Sequence, residues 1–496
     1  MRSPLKILYV ASEVAPFAKT GGLADVAAAF PKALQELGHD IRVMMPKYGV
    51  INERRYVLRE VIRLKEVIVD LGGEKLVGSV KSAFIPDTKV QVYFLDYPPL
   101  FGRPDLYTDP KTGKDWPDNA ERFTFFCKGV LETLKLLHWQ PHVIHCNDWH
   151  TGLIPVLLRT TYSQERLFAK TSTVFSIHNL AYQGVFSKTK FALTGLPQEL
   201  FRPDGGVEFY GKLSFLKAGI VFADALTTVS ERYAEEITSD PELACGLMDE
   251  LRSRREALFG ILNGIDDSVW NPKTDPLIAK NYSLTDLAGK AENKRALLEN
   301  LGLPYMPEVP VLGMISRLAD QKGFDLVAEA FPELMKHDLQ FVLLGTGEPR
   351  YHKLFASMAK RYPKKVSVNL RFDNALAHQI EAGADMFLMP SRYEPCGLNQ
   401  MYSLVYGTIP IVRATGGLAD TITEFDPERC TGNGFVFVEY NAQALLQAVE
   451  RALGVWADQK VWRKLVKSAM RSNFSWKNSA SKYVKLYTKL EMSRRK

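Results

Sequence analysis

Near its start the chain reads Lys6-Ile7-Leu8-Tyr9-Val10-Ala11, and a short turn later Lys19-Thr20-Gly21-Gly22-Leu23-Ala24-Asp25. The first run is continuously apolar after its lysine, as a strand buried on both faces must be. The second passes through two glycines into Leu23, Val26, Phe30, Leu34 and Leu37, whose three- and four-residue spacings predict an amphipathic helix. Gly38 supplies its stop, and Pro31 inside it predicts a kink. Strand, glycine turn and helix is the opening unit of a doubly wound α/β sheet.

The same alternation continues along the chain. Further apolar runs lie at Ile41–Met45, Val90–Leu95, Val143–Cys146, Ser172–Ile177 and Ala225–Val229. A second series follows at Val311–Ile315, Phe341–Leu344, Met386–Met389, Ile409–Val412 and Phe435–Val438. Helical patterns separate them, such as Leu445, Val449 and Leu453, so two doubly wound domains are predicted. An internal repeat supports the division, because Thr20–Asp25 returns residue for residue as Thr415-Gly416-Gly417-Leu418-Ala419-Asp420. Each copy follows an apolar run, and its glycines suit close approach of backbone N–H groups to an anion at a helix N-terminus. Turn residues at Asn263-Gly264-Ile265-Asp266, followed by Trp270-Asn271-Pro272, place the boundary there, with one domain over 1–265 and the next starting at 266.

Composition narrows the class. Of 496 residues, 46% are hydrophobic and 24% charged, which excludes wholesale disorder, and the net charge of +7 fits an anionic ligand better than nucleic acid. Five cysteines without C-x-x-C spacing argue against a disulfide framework or structural zinc, and for the cytoplasm. No apolar run is long enough for a membrane span. Arg2 and Lys6 before Ile7–Val10 imitate a secretory leader, but Glu13 ends the run too early, so a soluble N-terminus is expected. The basic end, Ser493-Arg494-Arg495-Lys496, reads as a solvated tail.

Candidate chemistry gathers where strands end. His142-Val143-Ile144-His145-Cys146-Asn147-Asp148-Trp149-His150 is dense in ligating side chains, yet strand alternation sends His142 and His145 to opposite faces, so no metal is expected there. The better reading puts Asp148, and His178 after the next strand, at the carboxyl ends of parallel strands, where open α/β sheets bind ligands. Arg317 and Lys322 follow another strand, and two such cations suit a diphosphate. No D-x-D sequence is present to hold a divalent metal, so a departing diphosphate would depend on these cations and on helix dipoles. Glu394-Pro395-Cys396-Gly397-Leu398 offers a carboxylate beside backbone N–H groups, a pattern suited to sugar hydroxyls. Between Tyr97 and Phe126, Phe123, Phe125 and Phe126 are expected in the core. Tyr107 and Trp116 are expected at the surface, as platforms for an acceptor sugar.

Taken in order, Lys19–Asp25, His178-Asn179-Leu180-Ala181-Tyr182-Gln183-Gly184, Asn263–Asp266, Arg317 to Lys322 and Glu394–Leu398 resemble bacterial glycogen synthase and plant starch synthase. The likeness runs from about Leu5 to about Tyr487. It implies the GT-B fold, two Rossmann-like domains facing across a deep cleft, and retaining transfer of glucose from ADP-glucose to an α-1,4-glucan such as glycogen. It also implies that the second domain ends near 475 and that 476–496 crosses back to the first. By resemblance Lys19, Gly21, Gly22 and Asp25 belong to the donor site with Arg317 and Lys322. Thr415, Gly416 and Gly417 join them, as do Cys396, Gly397 and Leu398 around Glu394. Asp148 and His178 correspond to residues near the reacting carbon, Asn263 to one beside the hinge, and Phe372 to an aromatic against adenine. Neither a cofactor nor a metal is implied.

Many retaining GT-B enzymes carry a second glutamate where this chain has Tyr402, and its absence favours the glycogen and starch synthase branch. The competing readings are a UDP- or GDP-sugar transferase of the same fold, a non-catalytic glucan-binding homologue, and a phosphorylase dependent on pyridoxal phosphate.

Overall fold

The structure is a computed structural model and describes residues 4–495. It divides into two compact units. One holds the described residues through Val229, Ala234–Gly264 and the segment from Trp476 onward; the other holds Ser230–Tyr233 and Ile265–Ser475.

The first unit is built on a large sheet. Its strands are β1 (Lys6–Val10), β2 (Asp40–Pro46), β3 (Arg59–Glu60), β4 (Val67–Leu71), β5 (Glu74–Phe84), β6 (Gln91–Asp96), β7 (Val143–Asn147), β8 (Ser172–Ile177), β12 (Ala225–Thr228) and β13 (Leu258–Gly260). A small separate sheet consists of β9 (Val185–Phe186), β10 (Glu208–Phe209) and β11 (Lys212–Ser214). The large sheet runs β13-β12-β8-β7-β1-β2-β6-β5-β3. From β13 to β6 every pairing is parallel, and β5 with β3 and β4 adds an antiparallel edge. Strand order reverses between β1 and β7, which is the topological switch point of this unit.

The second unit has β14 (Val311–Ile315), β15 (Gln340–Leu344), β16 (Val366–Asn369), β17 (Met386–Met389), β18 (Ile409–Arg413) and β19 (Phe435–Phe437), in the order β16-β15-β14-β17-β18-β19 and all parallel. Its switch point lies between β14 and β17. Phe324, Phe331, Phe341, Phe355, Leu388, Ile411 and Leu445 belong to the apolar core on one side of this sheet.

Helix Trp476–Arg495 packs within the first unit. Phe30 of helix Gly22–Glu36 meets Trp476 and Tyr483 with ring centroids 5.2 and 4.6 Å apart. Ser479 donates to the Leu262 carbonyl, and the Tyr487 hydroxyl meets His145 Nδ1. The basic end is therefore not a loose tail: Ser493 and Arg494 are helical, and Arg494 pairs with Asp224 at 2.8 Å. Lys496, and Met1–Ser3 at the other terminus, lie outside the described residues.

Candidate active site

In a parallel sheet the residues just past each strand's carboxyl end share one edge. In the first unit β1, β7 and β8 are neighbours, so Ser12-Glu13, Asn147-Asp148 and His178-Asn179 come together at the switch point. Asp148 has φ 54° and ψ −179°, backbone space that is essentially glycine's, and a non-glycine residue held there is a pointer to function. Its Oδ1 accepts the His178 N–H at 2.8 Å, so the two residues picked from sequence are adjacent. Burial pushes the Asp148 carboxyl up to about 7, against the opposing pull of the His178 and Asn179 N–H groups. Burial also drives the His178 imidazole down to about 4.

The sign of each shift gives a stability test. Asp148 stays protonated in the folded chain to about pH 7, whereas the unfolded chain releases that proton near pH 4. Its contribution is thus complete below about pH 4 and is lost as pH rises toward 7. His178 acts in the opposite sense: its folded value is depressed, so its contribution is lost as pH falls from about 6.5 toward 4. Asp148→Asn is expected to gain stability relative to the parent by about 1.4 kcal/mol per pH unit between pH 4 and 7. Urea midpoints of both proteins at pH 5, 6, 7 and 8 measure it, and parallel curves would contradict it.

The Lys19–Asp25 turn is organised by a residue the sequence reading used only to end an apolar run. Glu13 is buried, and its carboxylate accepts from the Thr20 and Gly21 N–H groups, the Thr20 hydroxyl and the Tyr107 hydroxyl. Burial raises its pKa against those bonds. A carboxylate directly after an apolar strand was the available signal, the same one that marked Glu394. Lys19 is half-exposed and pairs with Asp25 at 2.7 Å. Asn263, past the end of β13, is buried.

On the Tyr97–Phe126 segment, Phe123, Phe125 and Phe126 are fully buried. The surface expectation for Tyr107 is corrected. Its hydroxyl turns inward to Ser12 Oγ at 2.7 Å and to Glu13, and its ring packs 4.6 Å from the His150 ring, because Glu13 needs a donor there. Trp116 is half-buried, with the Arg103 guanidinium 4.7 Å from its ring centre.

In the second unit β14, β17 and β18 are neighbours, which brings Arg317 and Lys322, Glu394–Leu398 and Thr415–Gly417 to one edge at its switch point. Two glycine contacts set the approach. At Gly323, with φ +75°, a Cβ would lie 2.1 Å from the Pro390 carbonyl oxygen. At Gly416, with φ +43°, it would lie 2.0 Å from that of Glu394. Lys322 Nζ consequently reaches Glu394 Oε2, which also accepts from Ser391 Oγ at 3.2 Å. The expected diphosphate cation and the expected sugar carboxylate are therefore an ion pair, with Glu394 buried. Arg317 is exposed. The Gly397 and Leu398 N–H groups make no hydrogen bond among the described residues, so they remain donors at the start of helix Asn399–Tyr406. Phe372 is 81% exposed, a ring face presented to solvent.

The two copies of the repeat do different work. In the first, the amides hold the Glu13 carboxylate; in the second, the Gly417 N–H donates to the Glu394 and Pro395 carbonyls. Tyr402 is buried and stacked on Trp270 at 3.9 Å, with His378 stacked at 3.8 Å on the same indole.

Two doubly wound units, each with polar residues clustered at a switch point, match the GT-B class of glycosyltransferases. The starch synthase catalytic domain family matches residues 6–253, and glycosyl transferases group 1 matches residues 305–468. The chain is 47% identical to glycogen synthase 2 of Geobacter sulfurreducens over 99% of its own length and 100% of the relative's. It is 49% identical to glycogen synthase of Anaeromyxobacter dehalogenans over 98% and 100%. Among solved structures, the catalytic domain of starch synthase IV from Arabidopsis thaliana, bound to ADP and acarbose, superposes with TM-score 0.91 at 35% identity, covering 99% of this chain and all of that one. A sucrose-phosphate synthase from Thermosynechococcus elongatus shares the fold at TM-score 0.58 and 18% identity. The chain belongs to the glycogen and starch synthase family and is a glucosyltransferase. Among the described residues no helix is long and apolar enough to cross a membrane.

Proposed function

We propose that the protein is a cytoplasmic glycogen synthase that transfers glucose from ADP-glucose to the non-reducing end of an α-1,4-glucan with retention. The observation that carries the reading is the position of the motifs: Asp148 and His178 at one switch point, Arg317, Lys322 and Glu394 at the other. Arg317 and Lys322, with Lys19 and the 415–417 turn, take the diphosphate, and Phe372 takes the adenine. Glu394 and the Cys396–Leu398 amides hold the glucose hydroxyls, with Asp148 and His178 near the reacting carbon. Departure and attack occur on one face of the sugar, and the leaving phosphate oxygen receives the acceptor's proton. Charge on the leaving group is met by protein cations and helix dipoles, so no metal or cofactor is assigned. Trp116 is retained on the acceptor side.

Radiolabelled glucose transfer to glycogen, from ADP-glucose and UDP-glucose in parallel and with and without a chelator, tests the reading. Chelator-resistant transfer with ADP-glucose preferred is expected. Transfer from neither donor defeats the function, and loss on chelation defeats the metal-free assignment. Phe372→Ala is expected to raise the KM for ADP-glucose by about tenfold, the usual worth of one stacked base, with little change in kcat. Because the ring is exposed, its urea midpoint should not move. An unchanged KM would take the adenine elsewhere.

A further inference from the structure

Asn147, the last residue of β7, is fully buried and is linked to four neighbours by its side chain. Its Nδ2 donates to the Val10 carbonyl at 2.9 Å and to the His145 carbonyl at 3.4 Å, and its Oδ1 accepts from the Tyr9 hydroxyl at 2.9 Å and faces His178 Nε2 at 2.8 Å. The amide cannot be turned over. The opposite orientation would set Oδ1 against the Val10 carbonyl oxygen, two acceptors without a proton between them. With Oδ1 fixed toward His178, an amide oxygen that can only accept requires Nε2 to carry the hydrogen.

We infer that Asn147 is a positioning residue that locks His178 in the neutral Nε2–H tautomer, leaving Nδ1 as an acceptor for a hydroxyl group of the bound sugar. The backbone completes the clamp, since the next residue, Asp148, holds the His178 N–H. Nδ1 has no hydrogen-bond partner among the described residues. His178 thus recognises a neutral polyhydroxyl ligand by accepting a proton bond, and serves neither as a cation nor as a general acid. The inference rests on the proposed placement of His178 beside the sugar, but the tautomer can be measured without it.

The first measurement is a two-bond proton–nitrogen NMR correlation on the whole ligand-free protein labelled with 15N-histidine, the His178 signals being identified by their loss in His178→Gln. An Nε2–H pattern from pH 6 to 8 is expected; an Nδ1–H pattern or an averaged mixture overturns the proposal. The second uses Asn147→Asp, whose carboxylate favours an imidazolium and so blocks Nδ1. Its kcat/KM at pH 7 is expected to fall about 10- to 100-fold, the worth of one hydrogen bond to a buried group, and to recover partly as pH rises. The ionisable groups around His178, namely Tyr9 on β1, Glu13 after it, His145 on β7 and Asp148, are common to both proteins, so the new limb belongs to the substitution. A pH profile parallel to the parent's overturns the proposal. If Asn147→Asp does not fold, the parent's NMR pattern still decides. Unimpaired transfer by His178→Ala would remove the sugar contact while leaving the tautomer standing.

Discussion

Lys322→Ala is expected to lower kcat for glucose transfer by about 10² to 10³-fold, the usual consequence of removing one pre-set charge from a leaving-group site. The lysine is placed by backbone rather than chance. A 3₁₀ turn, Asp320–Lys322, ends at Gly323, which alone can pass beneath the Pro390 carbonyl, and the Arg392 N–H donates to the Gln321 carbonyl at 2.9 Å. The ammonium is thus held beside Glu394 before any substrate arrives, so little reorganisation accompanies charge development. Truncation has a second effect, because Glu394 is buried and would keep only Ser391 on its Oε2. That should reduce stability by about 1–3 kcal/mol. Glu394→Gln in the same background separates the two effects. The double variant is expected to regain the lost stability, which isolates the effect of the unpaired carboxylate, while kcat stays low because Glu394 is itself placed on the sugar hydroxyls. A single Lys322→Ala variant within tenfold of the parent would remove the lysine from the reaction.

What could be read in the sequence follows from burial. Strands covered on both faces, such as Val311–Ile315 and Met386–Met389, are unbroken apolar runs and were legible to the residue. The β4–β5 hairpin was not, because Val67–Leu71 alternates buried and exposed residues and Glu74–Phe84 is interrupted by charges. Its signal was the Gly72-Gly73 turn, both residues at positive φ, between those two half-buried strands. At the site, motifs announced Glu394, Lys322, Asp148 and His178, whereas Glu13 was hidden. It is a single acid whose partners come from the Thr20–Gly21 turn and from Tyr107 about ninety residues away, a distance set by folding and not by spacing. The Thr-Gly-Gly repeat shows the converse: equal sequence, unequal surroundings.

That inequality gives the sharpest contrast available. Gly21→Ala is expected to change stability by less than about 0.5 kcal/mol, since Gly21 sits at φ −151°, which any residue adopts, and an added Cβ meets nothing within 4 Å. In the second copy Gly416→Ala, at the matching position, and Gly417→Ala beside it are expected to be severe. At Gly416 the methyl would lie 2.0 Å from the Glu394 carbonyl oxygen in a left-handed conformation, and at Gly417 it would lie 2.0 Å from that of Cys396. These neighbours are backbone and cannot swing aside, so the 394–396 segment must move. Overpacking of this kind costs about 1–3 kcal/mol, and the left-handed turn at Gly416 adds about 1–2 kcal/mol. Displacement also breaks the Gly417 N–H bonds to the Glu394 and Pro395 carbonyls and shifts the Glu394 side chain, so transfer should fall at least about 100-fold even in molecules that remain folded. Thermal unfolding and transfer assays on the three variants decide it. Equal tolerance at positions 21 and 416 would mean that the second copy does not brace the Glu394 loop.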